Sequence, residues 1–197
     1  MALPRPAPKR PDRRTAVIRL LRDAEHVDEV IERGIREVKT SVWIATANLK
    51  DVHVQAPLGT GARARGRYIS LFDELRQAAA RGIDVRILHA GPPSRGLALR
   101  LKAAGKSRPL MRRCLRVHLK MIAIDGETLY FGSANFTGAG LGAKGEHRRN
   151  FEAGITTDDE WLLDEMQGTF DAIWTGKHCA KCQLRAECPK PLDTMKR

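Results

Sequence analysis

A chain of 197 residues is long enough to bury one core without disulfide support and too short for several large domains. Lysine and arginine total 35 against 23 aspartates and glutamates, giving a net charge of +12 and a pI of ≈ 10.1. That balance favours a polyanionic partner, nucleic acid first and an anionic membrane surface second.

The first fourteen residues hold four prolines and four arginines and no signal-peptide core, so residues 1–15 read as a disordered basic tail. No stretch reaches the ~20 apolar residues of a membrane span, and a cytoplasmic protein is expected. Residues 16–176 read as one folded domain. Val27, Val30, Ile31, Gly34, Ile35 and Val38 recur at helical spacing and predict a helix over residues 24–39. A β-rich run at 41–49 predicts a strand. The loop after it is punctuated by Gly59, Gly61 and Gly66 and carries Arg63, Arg65 and Arg67. A helix over 69–81, stopped by Gly82, leads to a strand at 84–90, and residues 92–113 read as a basic helix and loop.

Two β-type segments follow at 115–124 and 128–135, joined by Asp125-Gly126, a strong hairpin signal. A glycine-rich basic loop at 138–149 precedes a third segment at 150–156. Asp158-Asp159-Glu160 then opens a long helix whose apolar stripe includes Met166, Phe170 and Trp174. The alternation defines an α/β class with a mixed sheet flanked by helices.

Each of the three late segments carries a polar pair at i, i+2 spacing, which puts both members on one face of a strand. The pairs are His118 with Lys120, Ser133 with Asn135, and Asn150 with Glu152. Isolated polar groups in apolar strands are costly to bury, and one shared polar pocket resolves all three pairs. A histidine nucleophile, a fixed cation, neutral donors and a carboxylate together suit a phosphoryl group. Lys120, Ser133, Asn135 and Asn150 would bind phosphate oxygens, and Glu152 would orient His118. This chemistry needs no catalytic cofactor. Asp125 lies at an odd offset from the histidine pair and is read as structural, bonding to its own turn.

His118-x-Lys120-x4-Asp125 followed by Gly132-Ser-Ala-Asn135 resembles the HKD signature of the phospholipase D superfamily. Asn150-x-Glu152 and the early Ile44-Ala-Thr-Ala-Asn-Leu strand extend the resemblance, which covers about residues 24–175. It implies a phospholipase D-like mixed sheet and chemistry by phosphohistidine, in which one histidine attacks and a second protonates the leaving oxygen. This chain holds a single motif, so the resemblance implies a homodimer. The need for two histidines points the same way. Single-motif relatives include small bacterial endonucleases, so the expected activity is metal-independent cleavage of DNA or RNA. The alternative is a phospholipase D or phosphatidyl transferase acting on lipid headgroups. Arg63, Arg65, Arg112, Arg113, Lys144, Arg148 and Arg149 are the candidates for holding a nucleic-acid backbone.

Residues 177–197 form a cysteine-rich tail, His178-Cys179-x2-Cys182-x5-Cys188-Pro189, which reads as a small metal knuckle. Cys179, Cys182 and Cys188 supply three ligands, with Cys114 or His178 as the fourth. Structural zinc is the first reading and an iron–sulfur cluster the second.

Overall fold

The computed structural model of the chain describes residues 15–105 and 109–195. The tail expected over 1–15 therefore lies, but for its last residue, outside the described residues. Nine strands are present among them: β1 Ile18–Arg22, β2 Ser41–Thr46, β3 His53–Gln55, β4 Tyr68–Ser70, β5 Asp84–His89, β6 Leu110–Arg113, β7 Met121–Ile124, β8 Thr128–Gly132 and β9 Ala153–Thr157. The α-helices are α1 Gly61–Ala64, α2 Leu71–Ala80, α3 Arg95–Ala104 and α4 Glu160–Trp174. Seven strands make one mixed sheet in the order β1-β9-β8-β7-β2-β5-β6, with only the β2-β5 and β5-β6 pairs parallel.

The central strands are apolar on both faces because both faces are covered. Along β2 and β7, Val42, Ile44, Ile122 and Ile124 point into one core with Leu71, Leu75 and Ile31. Their neighbours Ala45, Met121 and Ala123 point into a second core with Leu163, Phe170 and Trp174 of α4. Phe170 stacks between Trp43 and Trp174, with centroids 5.2 and 5.5 Å away, and the Arg86 guanidinium lies 4.4 Å over the Trp43 ring. Asp159 caps α4 by accepting from the Leu162 amide at 2.8 Å.

Several elements differ from the sequence expectation. The helix over 24–39 is instead a π-helical turn at Val27–Glu32 and a 3₁₀ turn at Ile35–Glu37. They divide at Gly34, where a Cβ would lie 2.6 Å from both Ile124 Cδ1 and the Val30 carbonyl; only glycine lets the turn sit this close to β7. The expected basic loop after β2 contains the β3-β4 hairpin, and residues 110–113 form β6 rather than loop. β1 goes beyond the expected elements. Ile18 and Leu20 are exposed and Leu21 alone is buried, so no alternating pattern marks this edge strand. The cysteine-rich tail folds back, with Leu192 buried against the core that contains Phe170 and Trp174.

Asp125 and Gly126 both take positive φ, 57° and 71°, as a tight β7-β8 turn requires. The Asp125 carboxylate does not bond to its own turn, which corrects the expected partner. It accepts from the amides of Lys39, Thr40 and Ser41 at 2.7–3.1 Å and from Thr40 Oγ1 at 3.0 Å, tying the hairpin to the chain entering β2. Burial pushes its pKa up, but the hydrogen bonds from Ser41, Thr40 and Lys39 outweigh burial and hold it below the ordinary carboxylate value. A lowered folded pKa contributes stability above the ordinary carboxylate range that is lost as pH falls through the lowered value. Asp125→Ala should therefore lower unfolding free energy by about 2–3 kcal/mol at neutral pH. In urea titrations from pH 7 down to 3, the difference between variant and wild type should shrink towards the acid end.

Candidate active site

Because β7, β8 and β9 run antiparallel side by side, the start of β7, the end of β8 and the start of β9 lie along one rim of the sheet. The end of β2 joins them there through the Ala45–Met121 pair, and the end of β1 through the Arg22–Ala153 pair. The three polar pairs all fall on this rim. They occupy extensions just outside the strands rather than positions within them: His118 and Lys120 precede β7, Ser133 and Asn135 follow β8, and Asn150 and Glu152 precede β9. At a rim, polar atoms reach solvent and partners without interrupting the buried ladder.

Backbone bonds hold these extensions together: the Gly132 amide donates to the Lys120 carbonyl at 3.1 Å and the Ser133 amide to the Ala153 carbonyl at 2.9 Å. Gly132 and Gly154 face each other in the register. A Cβ on Gly132 would lie 2.5 Å from Gly154 Cα, and one on Gly154 would lie 2.5 Å from the Tyr130 ring. Tyr130 fills the space beneath the rim, and burial raises its hydroxyl well above the ordinary tyrosine range.

His118 is exposed, with Lys120 Nζ at 3.2 Å from Nδ1, 3.3 Å from Nε2 and 3.0 Å from the His118 carbonyl. Glu152 binds two neighbours: Ser133 Oγ donates a very short hydrogen bond to Oε2, and Asn150 Nδ2 donates to Oε1 at 2.9 Å. Lys120, rather than Glu152, is thus the residue in contact with the His118 imidazole. Asn135 Oδ1 accepts from the Asn48 amide at 3.1 Å and approaches Thr46 Oγ1 at 3.3 Å. Thr46 is buried, donates to the Asn48 carbonyl at 2.8 Å and accepts from the Phe136 amide at 2.9 Å. Asn135 therefore acts through its oxygen to join the ends of β2 and β8.

Two residues of the rim lay outside the expected site. Asp23 follows β1 with φ of 44° and exchanges two bonds with Glu152: its amide donates to the Glu152 carbonyl at 3.0 Å, and its Oδ1 accepts from the Glu152 amide at 2.9 Å. Phe151, between Asn150 and Glu152, is 98% exposed. An aspartate is one of the few residues that enter positive φ readily, but nothing local in the sequence links it to residue 152.

The seven basic candidates divide. Lys144, Arg148 and Arg65 are exposed, and Arg149 is half-buried. Lys144 and Arg148 belong to the loop whose ends are tied by the Lys144–Gly138 and Asn150–Ala139 backbone bonds, beside the site. Arg63 donates to Glu32 and the Ala56 carbonyl, Arg112 to the Trp174 carbonyl at 2.5 Å while stacking on that ring, and Arg113 to the Ala90 carbonyl at 2.8 Å.

The rim of this mixed sheet carries a histidine–lysine pair beside a serine, two asparagines and a glutamate. Residues 31–174 match the family described as cardiolipin synthase, PLD-like domain, and the chain belongs to that family. No curated protein matches the sequence. Among solved structures, the chain is similar to Nuc of Salmonella typhimurium, a phospholipase D family member, at 18% identity and a TM-score of 0.57, covering 82% of this chain and 95% of that one. It is similar to NucT from Helicobacter pylori at 18% identity and a TM-score of 0.53, covering 80% and 94%. These likenesses extend the fold assignment beyond residues 31–174 of the motif-bearing core. Among the described residues, no helix is long and apolar enough to cross a membrane.

Asn135→Ala removes the acceptor that serves the Asn48 amide. It should cost about 1–3 kcal/mol in urea unfolding and speed hydrogen exchange at Asn48, whereas Asn135→Asp, which keeps an acceptor oxygen, should recover most of the loss.

Proposed function

We propose that the chain is a metal-independent phosphodiesterase that cleaves DNA or RNA through a phosphohistidine on His118. The observation that carries this reading is the exposed His118 imidazole with Lys120 Nζ 3.2 Å away, on a rim shared with Ser133, Asn150 and Glu152. A side-chain ammonium beside the ring supplies positive charge where a phosphoryl group would sit, and the second Nδ2 hydrogen of Asn150 adds a donor next to it. Glu152 holds Asn150 and Ser133 in place by accepting from both.

Attack by a ring nitrogen of His118 on phosphorus forms the N–P bond and breaks one P–O bond, and the leaving oxygen needs a proton. One histidine cannot be nucleophile and general acid in the same step. Two copies of the chain meeting across this rim supply both: the partner's His118 protonates the leaving group, then takes a proton from water as that water attacks the phosphohistidine. The product is a phosphomonoester and the first His118 is restored. The openness of the rim, and Phe151 standing 98% exposed beside Asn150, support a second copy as its cover. Net charge supports nucleic acid as the substrate, and exposed Lys144 and Arg148 on the loop beside the site, with exposed Arg65, support contacts to its backbone. The family description names a lipid-synthesising enzyme, so phosphatidyl transfer is the second reading.

With labelled single- and double-stranded DNA and RNA, wild type should cleave at least one substrate in EDTA at concentrations that leave its circular dichroism unchanged, and His118→Ala should lose at least about a thousandfold. Headgroup release from phospholipid vesicles without nucleic-acid cleavage would select the lipid reading. In the shared-site dimer, mixing wild type with His118→Ala under subunit exchange should reduce activity as the square of the wild-type fraction; a linear fall would mean independent sites.

A further inference from the structure

The cysteines stand apart from the catalytic rim and have a geometry of their own. From Gly176 onward the tail advances by three-residue turns: the Cys179 amide donates to the Gly176 carbonyl at 2.9 Å, Cys182 to Cys179 at 3.1 Å, Arg185 to Cys182 at 3.1 Å and Cys188 to Arg185 at 3.3 Å. These successive turns bring Cys179, Cys182 and Cys188 to the wall of one cavity. Cys114 faces them from just beyond β6, its backbone fixed by bonds to His89 at 2.9 Å and from Val117 at 3.1 Å.

All four cysteines are half-buried free thiols. They line one cavity of about 20 Å³ whose remaining walls include Leu115, Leu184 and Leu192. That volume suits a single water molecule or ion. Four sulfurs around one small cavity match the ligand number of a closed tetrahedral zinc site. Arg113, Arg116 and Arg185 also line the cavity, with Arg185 ion-paired to Asp193 at 2.8 Å. His178 lies along a wider neighbouring groove of about 530 Å³ that Cys114, Cys179 and Cys182 also line, but it is absent from the small cavity, which holds all four sulfurs. Among the described residues no three ligand-type side chains stand at metal-binding spacing, so ligation would require the thiols to move inward to Zn–S distances of about 2.3 Å.

We propose that Cys114, Cys179, Cys182 and Cys188 form a tetrathiolate site for one zinc ion that fastens the C-terminal tail to the segment leading into the catalytic rim. The fourth ligand is Cys114, not His178. An iron–sulfur cluster, with several inorganic atoms, needs far more room than this cavity provides. Cys114 lies four residues before His118, so the ion anchors the chain where it turns toward the site.

The full chain, purified under reducing conditions without chelator, should carry about one zinc per chain by elemental analysis. Cys114→Ser and Cys182→Ser should each lose it, and His178→Ala should retain it. Cobalt exchanged into wild type and into His178→Ala should give the same four-sulfur tetrahedral spectrum. For variants that fail to fold, wild type stripped by a chelator and refilled with zinc provides the measurement: Tm should fall on stripping by at least about 5 °C and recover on refilling. Iron and sulfide in the purified protein, zinc lost in His178→Ala but kept in Cys114→Ser, or a Tm indifferent to stripping would each overturn the proposal. None of these readouts depends on catalysis.

Discussion

The antiparallel register of β7, β8 and β9 is the constraint on which the site depends. Pairing Met121 with Phe131 and Gly132 with Gly154 brings a strand start, a strand end and another strand start to the same rim, and each extension delivers its polar residues there. A one-residue slip would reverse the face of every side chain in the slipped strand and bury polar groups in one of the two cores. The register is fixed at one end by the Asp125-Gly126 turn with its clamp on residues 39–41, and at the other by the close contact of Gly132, Gly154 and Tyr130. Stability and site geometry therefore rest on the same contacts.

Much of this was legible in the sequence. β-rich apolar runs marked the central strands, and Asp-Gly marked the hairpin, because both signals are local. The residues of the three polar pairs were legible from spacing, although their places beyond the strand ends were not: a strand and its extended continuation share the same alternation. Asp125 was readable as structural, but not its partners, since residues 39–41 are distant in sequence. The Asp23–Glu152 pairing was hidden for the same reason.

Charge shows the opposite limit. Arginines at 63, 112 and 113 have the composition of a polyanion-binding surface, yet their guanidinium groups close internal bonds to Glu32, Trp174 and Ala90. Arginine covers apolar surface and caps carbonyls as readily as it meets phosphate, and sequence alone does not separate these uses. Of the seven candidates, Lys144, Arg148 and Arg65 are exposed, and Lys144 and Arg148 lie on the loop leading to Asn150.

The bonds between Asp23 and Glu152 span 129 residues, and β1 has its partner in β9 at the far end of the sheet's sequence. Contacts of such separation carry a large loop-closure cost and form late in folding. During synthesis the segment containing Asp23 has to wait for nearly the whole sheet before its partner exists. Glu152 acquires its backbone support only at that closure, so the rim is complete once residue 23 meets residue 152, and chains synthesised short of that point lack it.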